Sequence, residues 1–217
     1  MILQENARQN FVDEITNFVN QHNITGIDFF SHTKNNLVTD DEAQQFYSSF
    51  AALIIAMRSR LSAEFILTVS YTPNGQQEHI LSSLPIVPLV DFFHIKAFDM
   101  EGGGHHAPIR LASSALANAS VALPAKKLSL GLPLFGRNSK TNERVPYEYL
   151  TVKYDPINHA ADALFVKSRA RIDLPYISFN GRDTIMSKAA LAVRMGLGGV
   201  SLFEVGCNER ICIENLC

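Results

Sequence analysis

Apolar residues recur along the chain with the period of a helix in some segments and in short continuous runs in others. The clearest helical stripe lies between residues 7 and 22 and contains Phe11, Val12, Ile15, Phe18 and Val19. The predicted order is helix 7–22, strand 24–30, helix 39–61, strand 65–71, helix 76–84, strand 91–98, helix 111–121, strand 127–134, helix 183–195 and strand 198–205. Strands this apolar, each separated from the next by a helix, indicate parallel pairing with both faces covered. The predicted fold class is therefore α/β.

Composition excludes several functional classes. A chain of 217 residues with 47% hydrophobic residues is long enough for one domain with a buried core, and its net charge of −2 offers no electrostatic surface for nucleic acid or an anionic membrane. Its most apolar stretch, residues 84–98, is interrupted by Pro85, Pro88, Asp91 and Lys96, so no membrane span is predicted. The first residues lack the apolar segment of a signal peptide, and the sequence leaves localisation open.

All three cysteines, Cys207, Cys212 and Cys217, lie in the last eleven residues. Five-residue spacing without a C-x-x-C pair or a nearby histidine disfavours a metal site. A disulfide within this tail and three free thiols both remain open.

The segment ITGIDFFSH, residues 24–32, is an apolar strand that ends in a polar loop. It resembles the D-G-x-D-x-D-x-E motif of the fourth barrel strand in the family 18 glycoside hydrolases, the chitinases and their relatives. Gly26 and Asp28 match that motif. Thr25 replaces its first Asp, Phe30 its third Asp and His32 the catalytic Glu.

Four later segments resemble the same family in the right order. VDFFHIKAFDM (90–100) resembles the sixth strand, with Asp91 and Asp99 kept and with Lys96 and Phe98 in the positions of a Met and a Tyr. GGGHHAPI (102–109) resembles the loop that follows that strand. KLSLGLPLFGR (127–137) resembles the seventh strand, with Phe135 for Tyr, and GLGGVSLFEVGCNE (196–209) resembles the eighth, with Phe203 for Trp.

The resemblance implies a partial (β/α)8 TIM barrel that covers strands four to eight, in a single domain over residues 1–217 that lacks the first three strands. We expect either an incomplete sequence or a genuine truncation that covers its sheet edges in another way, and we favour the first. About 45 residues separate the seventh strand from the next helix, which is too few for the large α+β domain that many members insert there. A shallow cleft is therefore expected.

Members of this family use a Glu as the acid, an Asp that stabilises the cationic ring and a Tyr that binds the substrate acetamido group, which itself acts as the nucleophile. Here His32, Phe30 and Phe98 occupy those positions. The resemblance therefore implies a catalytically inactive chitinase-like protein that binds chitin or chito-oligosaccharides of N-acetylglucosamine, or another protein, at the barrel mouth. The alternatives are an active glycosidase with His32 as an altered acid, and a fragment without a function of its own. An intact relative would be extracellular.

The expected substrate-binding residues are Lys96, Phe98, Asp99 and Phe203. Asp28 is expected to be a buried acid that needs a new partner, and Phe30 to fill core space. Lys96 could form an ion pair with Asp28 or Asp99 and close the site. No cofactor is expected, and no metal either, because the adjacent pair His105 and His106 has no carboxylate at ligand spacing.

Overall fold

A computed structural model of the chain describes residues 4–31, 40–100, 104–154, 163–165 and 176–203. The helices are α1 (Glu5–Gln21), α2 (Asp40–Arg60), α3 (Gln76–Ser83), α4 (Ile109–Ala122), α5 (Tyr147–Tyr154) and α6 (Arg182–Arg194), with a short 3-10 helix at Ala125–Lys127. The strands are β1 (Gly26–Ser31), β2 (Ile66–Tyr71), β3 (Phe92–Ile95), β4 (Leu128–Pro133), β5 (Phe135–Asn138), β6 (Arg144–Pro146), β7 (Ala163–Phe165), β8 (Tyr176–Ser178) and β9 (Gly199–Phe203).

Strands and helices alternate as the sequence predicts, and the fold class is α/β. One sheet has five strands in the order β1-β2-β3-β4-β9, which are the five strands read from the apolar runs. The prediction for β3 is too long, because the strand ends at Ile95 and leaves Lys96 and Phe98 beyond it. None of the described helices is long and apolar enough to cross a membrane.

A second sheet was not predicted. It has four short strands in the order β6-β5-β8-β7, and its pairings are antiparallel. All of its strands lie in residues 135–178, between the predicted seventh strand and α6. In its described residues, the segment expected to lack a large inserted domain therefore carries a small antiparallel sheet and the helix α5.

The chain divides into two compact units. The first comprises residues 1–95 and 118–129, and the second residues 96–117 and 130–217. In the first unit β1, β2 and β3 pair in parallel, with Asp28 in register with Thr68 and Ser70 in register with His94. The apolar faces of the helices pack together in this unit, where Val12 of α1 contacts Leu53 and Met57 of α2.

Arg58, near the end of α2, ties that helix to the sheet of the first unit. Its guanidinium donates to the carbonyls of Leu89 and Phe65 at 2.9 and 2.8 Å, and to Asp91 Oδ2 at 2.7 Å. The same oxygen of Asp91 accepts the backbone N–H of Leu67 at 2.7 Å. Asp91, one of the residues that match the family's sixth strand, therefore has a structural role at the start of β3.

The second unit has its own core around the antiparallel sheet, formed by Leu134, Tyr147, Leu150, Ile177 and Phe179. Gly136 of β5 permits a close approach in this core. A Cβ at this position would lie 2.7 Å from Ile177 Cγ2 and 2.8 Å from Leu150 Cδ1, which is closer than atoms of packed side chains come. The glycine of the L-F-G-R segment is therefore required by packing.

Candidate functional site

Asp28, on β1, is held by two hydroxyl groups of the neighbouring strand. Thr68 Oγ1 donates to Asp28 Oδ1 and Ser70 Oγ donates to Asp28 Oδ2, both at 2.7 Å. The prediction of a buried acid is wrong, because Asp28 is exposed while Thr68 and Ser70 are 7% and 9% exposed. The carboxylate keeps its contact with water, and it has partners that the sequence did not reveal.

Phe30, the aromatic residue in place of the motif's third Asp, is also on β1 and is 43% exposed. The prediction that it fills core space is therefore wrong. Because side chains two residues apart on a strand point to the same face, Phe30 lies on the same face of the sheet as Asp28. His32, in the position of the catalytic Glu, lies outside the described residues.

His94 of β3 was not identified as a site residue from the sequence, although it departs from the family pattern. It stands where the sixth-strand pattern D-x-x-N-x-M-x-Y-D has an Asn, and it is in register with Ser70. Its Nδ1 is buried without a hydrogen-bond partner among the described residues, and its ring stacks on Phe92 with centroids 6.4 Å apart. Burial lowers the pKa of His94, and this outweighs the negative charge of Asp28, which acts to raise it. The imidazole is therefore neutral at neutral pH.

Asp99, in the second unit, is held by a forked ion pair. Arg137 Nε donates to Asp99 Oδ1 at 2.7 Å and Arg137 Nη2 donates to Oδ2 at 2.8 Å. Arg144 Nη2 and His106 Nδ1 each lie 3.6 Å from a carboxylate oxygen. Burial alone would raise the pKa of Asp99, but the hydrogen bonds and charge of Arg137, helped by His106, hold it well below its ordinary range. Arg137 is the last residue of the segment that resembles the seventh strand. It supplies the cationic partner of Asp99 that the sequence suggested for Lys96.

The aromatic residues named as substrate-binding lie together in the second unit. Phe98 is 4% exposed and packs edge-on against buried Phe135 with ring centroids 5.8 Å apart. Phe203 is half-buried, with its ring centroid 5.2 Å from that of Phe98. Lys96 Nζ lies 4.4 Å from the centre of the Phe203 ring, and Arg144 lies 4.9 Å from that of Phe135. This aromatic cluster (Phe98, Phe135 and Phe203) is therefore bordered by cations.

His105 and the backbone beside it are held by hydrogen bonds. The backbone N–H of Ala107 donates to His105 Nδ1 at 3.0 Å, so Nε2 carries the proton and donates to the carbonyl of Phe179 at 2.9 Å. His106 is 3% exposed, and burial lowers its pKa. In the part of the chain that the structure describes, no three His, Cys, Asp or Glu side chains are placed to hold a metal. The three cysteines lie outside the described residues.

The loop with these histidines is also bound to α6. Lys188 is fully buried, and its Nζ donates to the carbonyl of Ala107 at 2.8 Å and to Asn180 Oδ1 at 2.7 Å. Asn180 Nδ2 donates to the same carbonyl at 2.9 Å. Because a buried ammonium needs acceptors in fixed positions, these contacts give Lys188 a structural role.

Comparisons with known proteins agree on one family. The model of the family "Glycosyl hydrolases family 18" matches residues 1–208. The chain is 18% identical to chitinase A1 of Niallia circulans over 96% of its own length, and it spans 38% of the length of that relative. A GH18 chitinase from Cycas revoluta has a similar fold, with a TM-score of 0.72 at 18% identity over 94% of this chain and 70% of that one. Chitinase ChiW from a Paenibacillus species gives 0.74 at 16% identity over 95% of this chain and 29% of that one. The chain belongs to family 18 of the glycosyl hydrolases.

Proposed function

We propose that the protein binds chitin or chito-oligosaccharides without hydrolysing them. The observation that carries this proposal is Phe30, an aromatic ring that is 43% exposed at the position where the family motif has an Asp. The replacement removes a negative charge from the place where a cationic transition state would need it, and it adds an apolar surface that can stack on a pyranose ring.

The loss of chemistry does not depend on Phe30 alone. The acid position holds His32 and the position of the acetamido-binding Tyr holds Phe98, which has no hydroxyl group. A positioned acid is typically worth about 10²- to 10⁴-fold in rate, so each loss by itself is severe. Residues that act as a unit are not additive, and one restored group does not recover the activity of the set.

Binding in the second unit is assigned to Asp99, Lys96 and the aromatic cluster. Phe203 offers a half-buried ring that packs against Phe98, and the ammonium group of Lys96 lies 4.4 Å from the centre of that ring. An apolar ring face with polar groups beside it matches the apolar and hydroxyl-bearing faces of a sugar. The same GH18 chitinase of Cycas revoluta was solved with allosamidin and with (GlcNAc)3, and these ligands support the choice of chito-oligosaccharides here.

Two measurements test the proposal on the full chain. Isothermal titration calorimetry with (GlcNAc)4 should give saturable binding, and Phe203→Leu, which keeps apolar volume but loses the ring, should weaken it about tenfold. Phe203→Trp, which introduces the residue of the family motif, should bind at least as tightly as the parent chain. Absence of binding at millimolar sugar in the folded protein would contradict the proposal.

Hydrolysis is assayed by release of a fluorophore from a chitobioside over several pH values, with no turnover expected. His32→Glu alone should remain inactive, because Phe30 and Phe98 still lack the groups that the acid works with. The triple variant Phe30→Asp, His32→Glu and Phe98→Tyr is the smallest change that could restore turnover. Saturable turnover by the parent chain that disappears in His32→Ala would instead favour an active glycosidase with an altered acid.

A further inference from the structure

The face of the sheet that carries Asp28 has a set of polar atoms that the family motif does not explain. Asp28 and Thr68 are in register, Phe30 and Ser70 are in register, and His94 follows beside Ser70. In-register residues of parallel strands point to the same side, so these five residues share one face. We call them the Asp28 face.

The carboxylate of Asp28 is fixed but not neutralised. Its two hydrogen bonds come from uncharged hydroxyl groups rather than from a Lys or an Arg. Each carboxylate oxygen accepts more than one hydrogen bond, so Asp28, which is exposed, can still accept from a ligand. The hydroxyl donors of Thr68 and Ser70 are already used, and towards a ligand both can act only as acceptors.

His94 extends the set of acceptors without adding charge. Burial favours the neutral imidazole, which has one donor and one acceptor nitrogen. With Nδ1 buried and without a partner among the described atoms, Nε2 is the nitrogen that a ligand can reach, and it accepts in the tautomer that carries the proton on Nδ1. The Asp28 face therefore combines one negative charge with neutral acceptors, next to the exposed ring of Phe30.

We propose that the Asp28 face binds the ammonium group of a glucosamine unit, so that the protein recognises deacetylated rather than fully acetylated chitin. An ammonium brings three donors and a positive charge, which suit a carboxylate ringed by acceptors, whereas an acetamido group brings one neutral N–H donor and an acceptor oxygen. The pyranose ring that carries the ammonium stacks on Phe30. This inference rests on the proposed function, because it concerns the same class of polymer.

The test compares two probes on the full chain by isothermal titration calorimetry at one pH, the glucosamine tetramer and (GlcNAc)4. The parent chain should bind the glucosamine tetramer about tenfold more tightly, as expected for one charge-assisted hydrogen bond. Asp28→Asn, close in shape but uncharged, should abolish that preference and leave the affinity for (GlcNAc)4 within about twofold. Asp13→Asn is the matched control, since it removes a half-exposed carboxylate of α1 and should leave both affinities unchanged.

A second arm avoids any effect of substitution on folding. For the parent chain, raising the salt concentration from 50 to 500 mM should weaken binding of the glucosamine tetramer several-fold and leave (GlcNAc)4 nearly unchanged, because salt screens charged pairs. His94→Asn, which introduces the residue of the family pattern, should weaken the glucosamine tetramer by about two- to fivefold.

The outcomes separate this inference from the proposed function. Binding of (GlcNAc)4 with equal or weaker binding of the glucosamine tetramer overturns the inference alone. Equal losses for both probes in Asp28→Asn overturn it as well, because the carboxylate would then act on the fold or on the sugar ring in general. Binding of neither probe by the parent chain overturns both the inference and the proposed function.

Discussion

Asp28 and Asp99 are both acids of the family motifs, and their surroundings differ in kind. Asp99 is bound through both oxygens by Arg137, with Arg144 and His106 at 3.6 Å. Asp28 is bound through both oxygens by hydroxyl groups and is exposed. The charge of Asp99 is paired with a guanidinium within its own unit, whereas Asp28 is bound by uncharged hydroxyl groups. A retained acid in a motif can therefore serve the fold in one place and remain available to a ligand in another.

The largest expected effect tests the neutralised member of this pair. Arg137→Ala removes both hydrogen bonds to Asp99 and leaves a carboxylate whose side chain is 29% exposed with only the longer contacts of Arg144 and His106, each at 3.6 Å. We expect a loss of about 2–4 kcal/mol in the free energy of unfolding, less than for a fully buried pair. Urea unfolding followed by circular dichroism measures it.

The control is Arg60→Ala, which removes an ion pair to Asp13 whose side chains are 51% and 48% exposed. Such an exposed pair should contribute at most about 1 kcal/mol. Equal losses for the two variants would mean that the ion pair of Arg137 with Asp99 stabilises the protein no more than an exposed ion pair does.

The next effect appears only in acid. The pKa of Asp99 is lower in the folded protein than in the unfolded chain, where a carboxyl titrates near ~3.9. The stabilisation from Asp99 is therefore complete above the unfolded value and is lost as the pH falls towards the folded value. Asp99→Asn should be less stable than the parent chain at neutral pH, and the difference should shrink steadily below about pH 4. Parallel curves of unfolding free energy against pH would contradict this.

Much of the fold could be read from the sequence, because helix stripes and buried parallel strands have distinct periods. Strands β5 to β8 could not, since each has three or four residues and no alternation to detect. In the candidate site the motif identified Asp28 and Asp99 but not their partners. Those partners lie about 40 positions away along the chain. Strand register brings Thr68 next to Asp28, and the folding of the second unit brings Arg137 next to Asp99. Exposure was also misjudged: alternation gives the face on which Phe30 lies, but not what covers that face.

A smaller effect tests the exposed member of the pair. Ser70→Ala removes one of the two hydroxyl donors to Asp28 and leaves Thr68 in place. We expect a loss of about 1 kcal/mol in unfolding free energy, because water can replace the donor at an exposed carboxylate. Thr68→Val removes the other hydroxyl group with little change of shape and should cost about the same. A loss as large as that of Arg137→Ala would show that the contacts of Asp28 contribute as much to the free energy of unfolding as those of Asp99.

The smallest effect concerns Lys96, the cation that the sequence suggested as a partner for either acid. The structure places its ammonium 4.4 Å from the centre of the Phe203 ring, while Arg137 occupies both oxygens of Asp99. A double-mutant cycle of Lys96→Met and Phe203→Leu should therefore give a coupling of about 0.5–1 kcal/mol in unfolding free energy. Lys126→Met, an exposed lysine in the other unit, should show no coupling to Phe203→Leu. If Lys96 contributed to the neutralisation of Asp99 instead, Lys96→Met would flatten the acid limb of the stability curve as Asp99→Asn does. If Lys96 acts on the Phe203 ring, Lys96→Met should lower stability by the same small amount above and below pH 4, because the protonation of Asp99 does not change that contact.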